Sequence, residues 1–68
     1  MLINDFKALH LKGSEQVKIT LANGKIIIGL LLNDYLTLEK ILIYNFGADD
    51  TKPEEYINLD IIRELKII

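Results

Sequence analysis

The chain has few residues that could make or break a covalent bond. It holds one histidine, His10, and no cysteine, so a thiolate nucleophile and a thiolate metal site are both excluded. Ser14 stands beside Gly13 with no histidine at a spacing that would activate it, and no glycine-rich phosphate loop opens a helix. A single imidazole is too few ligands for zinc, and the carboxylates are scattered or gathered in one loop. The expectation is therefore no enzyme, no metal and no cofactor. The densest charge lies at residues 49–55, where Asp49, Asp50, Glu54 and Glu55 face only Lys52. That local charge of −3 sets the sign of the net −2 and leaves +1 on the rest of the chain. Such a run reads as a solvated hairpin tip, with an acidic docking site as its alternative.

At 68 residues the sequence is expected to form one domain spanning 1–68, because two cores cannot be built from so little chain. Half the residues are hydrophobic and 26% are charged, which excludes a disordered chain. The longest apolar run, residues 26–32, falls far short of the roughly 20 residues that span a bilayer. With no signal-peptide pattern at the start, the expected setting is cytoplasmic and away from membranes. Domains below about 70–80 residues usually need a disulfide, a metal or self-association besides their core. The first two lack residues here, so the apolar surplus points to a homo-oligomer.

The elements follow from periodicity. Residues 2–11 carry Leu2, Ile3, Phe6 and Leu9 on one helical stripe, with Gly13 as the stop. His10, near the end of this helix, is favoured there by the helix dipole. From Gln16 the period becomes two: Val17, Ile19 and Leu21 face one way, Lys18, Thr20 and Ala22 the other. Asn23-Gly24 predicts a tight type I′ hairpin. The second strand, residues 25–32, is apolar on both faces and reads as a central strand buried on both sides. Gly29 in its middle calls for a sharp bend or a close approach of another segment, and the bend is the expectation.

Asn33-Asp34 makes the next turn, and residues 35–46 form a third strand. Its phase changes from Leu36 and Leu38 to Ile41 and Ile43, so a bulge is expected at Glu39-Lys40. Tyr44 and Phe46 are expected in the core or an interface. Residues 47–53 read as a polar loop, 55–59 as a fourth strand with Ile57 and Leu59 inward, and 64–68 as a fifth after a turn at Asp60-Ile61. The expected class is mostly β: a short N-terminal helix followed by a strongly bent five-stranded antiparallel sheet, an SH3-type small barrel.

This order of elements resembles the Sm/LSm/Hfq family over nearly the whole chain. The most specific stretch is V-K-I-T-L-A-N-G-K-I-I-I-G, residues 17–29, with the family's alternation, its turn at Gly24 and a second glycine, Gly29, five residues later. Asp34 followed by Leu36 and Leu38 resembles the loop motif after the second strand, and I-N-L-D-I-I-R-E-L, residues 57–65, the short turn between the last two strands. The resemblance implies a ring in which the fourth strand of one subunit pairs with the fifth of the next. Glu55, Tyr56, Ile57 and Leu59 would lie on one side of that interface, and Leu65, Ile67 and Ile68 on the other. The alternative for Ile67 and Ile68 is closure of the chain's own barrel. Ring size, about five to seven subunits, depends on the inter-subunit angle.

The resemblance also implies single-stranded RNA held by two loops. Asn33, Asp34, Tyr35 and Thr37 come from the first, Asn58, Asp60 and Arg63 from the second. An aromatic ring such as Tyr35 stacks a base, while amides and hydroxyls read base edges. Thr37 stands where the family has asparagine, and Asn58-Leu59 where many members have Arg-Gly. The structural alternatives are that Tyr35 is a half-buried turn aromatic, that Asn33 and Asp34 bond their own backbone, and that Arg63 pairs with Asp60 or Glu64. The rival function is an SH3-like or Sm-like protein–protein assembly module without RNA, which the net charge of −2 favours.

Overall fold

Two periodicities build the molecule. The computed structural model describes residues 1–32, 39–47 and 53–68. A helix, α1 (Ile3–Ala8), precedes five strands, β1 (Gln16–Leu21), β2 (Ile26–Leu31), β3 (Lys40–Asn45), β4 (Glu54–Asn58) and β5 (Ile62–Ile67), with a single 3-10 turn over Leu59–Ile61. The strands form one antiparallel sheet in the order β4-β3-β2-β1-β5. The class is thus mostly β, and β4 and β5 are its two edges. No helix among the described residues is long and apolar enough to cross a membrane.

Alternation decides the inner face. Val17, Ile19, Ile27, Leu31, Ile41, Ile43, Ile57 and Leu65 are buried together, and Leu21, Leu59 and Ile62 join them. Each such side chain removed from water contributes about 1.5–3 kcal/mol. Thr20, expected on the solvated face, is buried as well. Its place is where β1 and β5 shift register by one residue, between Thr20 and Leu21.

The helix is shorter than its stripe suggests. It covers six residues, and only Phe6 is buried among them; Leu2 and Leu9 are exposed, while Leu11, beyond the helix, enters the core. The chain leaves the helix at His10, which adopts φ 54° and donates its N–H to the Lys7 carbonyl at 3.1 Å. This is the left-handed position that favours glycine after a helix C-terminus. His10→Gly is therefore expected to stabilise the fold by about 0.5 kcal/mol, the relieved strain being partly offset by a freer unfolded chain. Thermal unfolding followed by circular dichroism should rise by roughly 2–4 °C.

Further on, the Lys12 N–H donates to Glu15 Oε2 at 2.7 Å, a bond that holds the Glu15 carboxyl below its ordinary range. The N-terminal ammonium of Met1 donates to the carbonyls of Leu59 and Ile62, both at 2.7 Å, tying the start of the chain to the 3-10 turn.

The hairpin at Asn23-Gly24 exists but differs in type. Leu21 N–H bonds the Lys25 carbonyl, and Gly24 N–H bonds the Leu21 carbonyl, so the loop holds three residues, Ala22, Asn23 and Gly24. Only Gly24, at φ +89°, is left-handed. That is the geometry of a type I turn closed by a left-handed glycine, not of type I′, which needs two such residues. The Asn23 side chain accepts the Lys25 N–H at 2.9 Å and fixes the turn.

β2 is central in the sheet but is not buried on both sides: Ile27 and Leu31 are buried, Ile26 and Ile28 exposed. The second face lacks a covering layer among the described residues. At Gly29 a close approach is observed. A Cβ there would strike the Tyr44 carbonyl oxygen and lie 3.3 Å from Asn45 Cα, across the pair Gly29 and Asn45.

Other boundaries move by one or two residues. β3 ends at Asn45, β4 runs from Glu54, and β5 starts at Ile62 because the 3-10 turn is short. At Glu39-Lys40, where a bulge is expected, Glu39 adopts φ 60° but pairing with β4 continues in register, Lys40 with Asn58 and the Glu39 carbonyl with the Leu59 N–H; Leu36 and Leu38, the other half of the expected phase change, lie outside the described residues. The expected turn at Asn33-Asp34, the third-strand residues 35–38 and most of the 47–53 loop lie outside the described residues.

Candidate functional site

Two features of this sheet are left uncovered by the described residues: its edges and its outer face. At the β4 edge, Asn45 N–H bonds the Pro53 carbonyl at 2.7 Å and Leu59 N–H the Glu39 carbonyl at 2.9 Å. Antiparallel ladders alternate, so Glu54, Tyr56 and Asn58 turn their main-chain N–H and C=O groups away from β3. At the β5 edge, Ile68 N–H bonds the Gln16 carbonyl at 2.9 Å, which by the same alternation turns the main-chain groups of Leu65 and Ile67 outward. Among the described residues neither row has a partner strand. An exposed row of this kind is a template for another strand.

The side chains of the expected interface divide. Tyr56, Ile67 and Ile68 are exposed, Glu55 is half-buried, and Ile57, Leu59 and Leu65 point into the chain's own core. Glu55 Oε1 accepts a bond from Asn45 Nδ2 at 3.2 Å. Ile67 and Ile68 are left uncovered by their own chain.

Of the polar residues expected to hold a ligand, Asn33, Asp34, Tyr35 and Thr37 lie outside the described residues. Asn58, Asp60 and Arg63 are brought to one corner and all are exposed. Asn58 ends β4 opposite Lys40, Asp60 sits in the 3-10 turn, and Arg63 is the extra residue of β5 where its register with β1 shifts. Such bulges re-aim a side chain. Among the described residues Arg63 forms no ion pair with Asp60 or Glu64; the pair that forms is Lys66 with Glu64, at 3.7 Å. Beside this corner an open cavity of about 510 Å³ has Asp5, Glu39 and Asp60 in its wall. Three carboxylates repel a phosphate chain and suit a cationic or uncharged ligand.

The outer face carries the residues that sequence reading missed as a group. Strand pairing sets Leu30 beside Tyr44, Leu42 beside Tyr56, and Phe46, whose N–H bonds the Ile28 carbonyl at 3.1 Å, beside Ile28. Tyr44 and Phe46 have ring centroids 6.0 Å apart at 58°, a tilted aromatic pair. Neither is in the core. Alternation within 26–30 and 42–46 carries this signal, but only pairing shows that the two runs share a face. Among the described residues no group of three metal-ligating side chains occurs. Comparison of the chain with protein-family models, with curated proteins and with solved structures finds no significant match.

Proposed function

We propose that the chain is a subunit of an Sm-like homo-oligomeric ring that binds single-stranded RNA. The observation that carries the reading is the position of β4 and β5 at opposite edges of one sheet. A contact in which the fourth strand of one copy pairs with the fifth of the next requires both strands to be free, and it repeats head to tail until the ring closes. The exposed Tyr56, Ile67 and Ile68 flank those edges and would be covered by neighbours. In the same reading the sheet bends strongly along β2 into an SH3-type barrel, the setting is cytoplasmic, and Asn58, Asp60 and Arg63 join Asn33, Asp34, Tyr35 and Thr37 around the RNA.

Ile67→Pro tests the ring. The Ile67 N–H faces away from β1, so proline removes a donor from the free edge alone, a place that tolerates it. Native mass spectrometry of the parent should give a species of about five to seven subunits or a multiple of it, and the variant should lose this species while keeping its circular dichroism. A variant with the parent's mass would exclude that edge.

RNA binding is read separately, by fluorescence anisotropy with uridine-rich and adenosine-rich oligonucleotides. Affinity should fall with salt and with Tyr35→Ala or Arg63→Ala. A second reading, protein assembly without RNA, is favoured by the acidic cavity wall of Asp5, Glu39 and Asp60. Intact rings that bind neither oligonucleotide would select it.

A further inference from the structure

We propose that the outer face of the sheet is a pairing surface for a second copy of this chain, stacked sheet to sheet about a two-fold axis that runs along β2. The patch is apolar and continuous. Ile26 and Ile28 are 53% and 43% exposed, Tyr44, Phe46 and Tyr56 are 42%, 51% and 60% exposed, and the half-buried Leu30 and Leu42 fill the space between them. Taking about 200 Å² per aromatic side chain, the three rings alone leave on the order of 300 Å² uncovered. With the isoleucines and leucines added, the patch passes the few hundred Å² beyond which an apolar surface marks a contact. Its polar rim brings it toward the roughly 800 Å² that each partner contributes to a standard interface.

Charge selects a second copy as the occupant. On the β1 and β5 side of this face Lys18 stands directly opposite Lys66, a like-charged pair that is unfavourable by itself. Lys66 has Glu64 beside it, while Lys18 has no ion pair among the described residues. On the other side, at the β4 edge, Glu54 is exposed opposite Tyr44 and likewise has no ion pair among the described residues. A two-fold axis along the central strand lays the β1 and β5 side of each copy over the β3 and β4 side of the other. Lys66 of one copy then lies over β4 of its mate, two residues or about 7 Å along the strands from Glu54, a gap that extended lysine and glutamate side chains span, and Lys18 lies over Phe46; each contact occurs twice, as an isologous interface requires. The three rings would also suit stacked bases, but Glu54, exposed opposite Tyr44 at their edge, repels the phosphates of an RNA strand.

Sheet-to-sheet pairing uses side chains of the outer face and none of the main-chain groups of the β4 and β5 edges, so it stands whether or not a ring forms. The test is the solution mass by sedimentation equilibrium, with circular dichroism to establish folding. Phe46→Glu and Ile28→Lys replace exposed side chains, and each should halve the parent's mass. Glu54→Lys should weaken association about tenfold by setting lysines against lysine, and Glu54→Lys with Lys18→Glu and Lys66→Glu should restore it. In Ile67→Pro a dimer should remain. A monomeric parent, a mass unchanged by Phe46→Glu, or a charge reversal that fails to restore association would each overturn the pairing. So would protection of Tyr44 and Phe46 by an oligonucleotide without self-association.

Discussion

Gly29→Ala is expected to destabilise the domain by about 3 kcal/mol, at the upper end of the usual cost of overpacking a filled site. The reason is the identity of the atoms that a methyl group would meet. They are the carbonyl oxygen of Tyr44, its carbon at 3.2 Å and Asn45 Cα at 3.3 Å, all main chain on the neighbouring strand. A side chain in the way would rotate aside; β3 can give only by spreading from β2, which loosens the ladder around Gly29 and Asn45. Gly29 is not among the left-handed glycines, so the effect is one of space and not of backbone strain. A small domain whose core supplies roughly 3–5 kcal/mol would lose most of its margin. The measurement is urea denaturation at equilibrium. Gly24→Ala makes the contrast: Gly24 has open space around it but sits at φ +89°, and its cost should be nearer 1 kcal/mol.

The same contrast explains what was legible beforehand. Val17, Ile19 and Ile57 alternate with polar or exposed neighbours, and Ile41 and Ile43 flank the half-buried Leu42, so local period alone assigns them to the inner face. Sequence alone places Ile26 and Ile28 in the interior, because an uncovered apolar face has the same sequence as a covered one; which face receives a second layer is decided by the rest of the fold. Asn23-Gly24 marks a turn whatever its type, but Ala22 fits either loop length, and pairing of Leu21 with Lys25 decides between them. At the corner, Asn58, Asp60 and Arg63 are turn-proximal and polar, so their exposure follows from residue type. Tyr44, Phe46 and Tyr56 meet only through the β3–β4 register and the contact of Phe46 with Ile28, which no local pattern contains.

Phe6→Ala is the second large effect, expected at about 3–5 kcal/mol. A helix of six residues is far below the length that holds itself together in water, and α1 docks through one buried side chain, Phe6, with only the partly buried Ile3 beside it. Phe6 is 2% exposed and sits in the same cluster as Leu11 and the β1 residues Val17 and Ile19. Truncating it leaves a cavity and removes the anchor together, so the helix should lose its docked position before the sheet opens. Two probes then separate. The amides of α1 and the His10 N–H bonded to Lys7 should exchange with solvent at near-unfolded rates, while those of β1 and β2 keep part of their protection. If the outer faces pair, association adds stability that depends on concentration, and the thermal midpoint of Phe6→Ala should rise with protein concentration. Phe6→Ala combined with Phe46→Glu should have a lower midpoint with a weaker dependence, only that which association through the β4 and β5 edges supplies. A midpoint for Phe6→Ala that is flat with concentration would assign all the remaining stability to the single chain, and would count against pairing through the outer face.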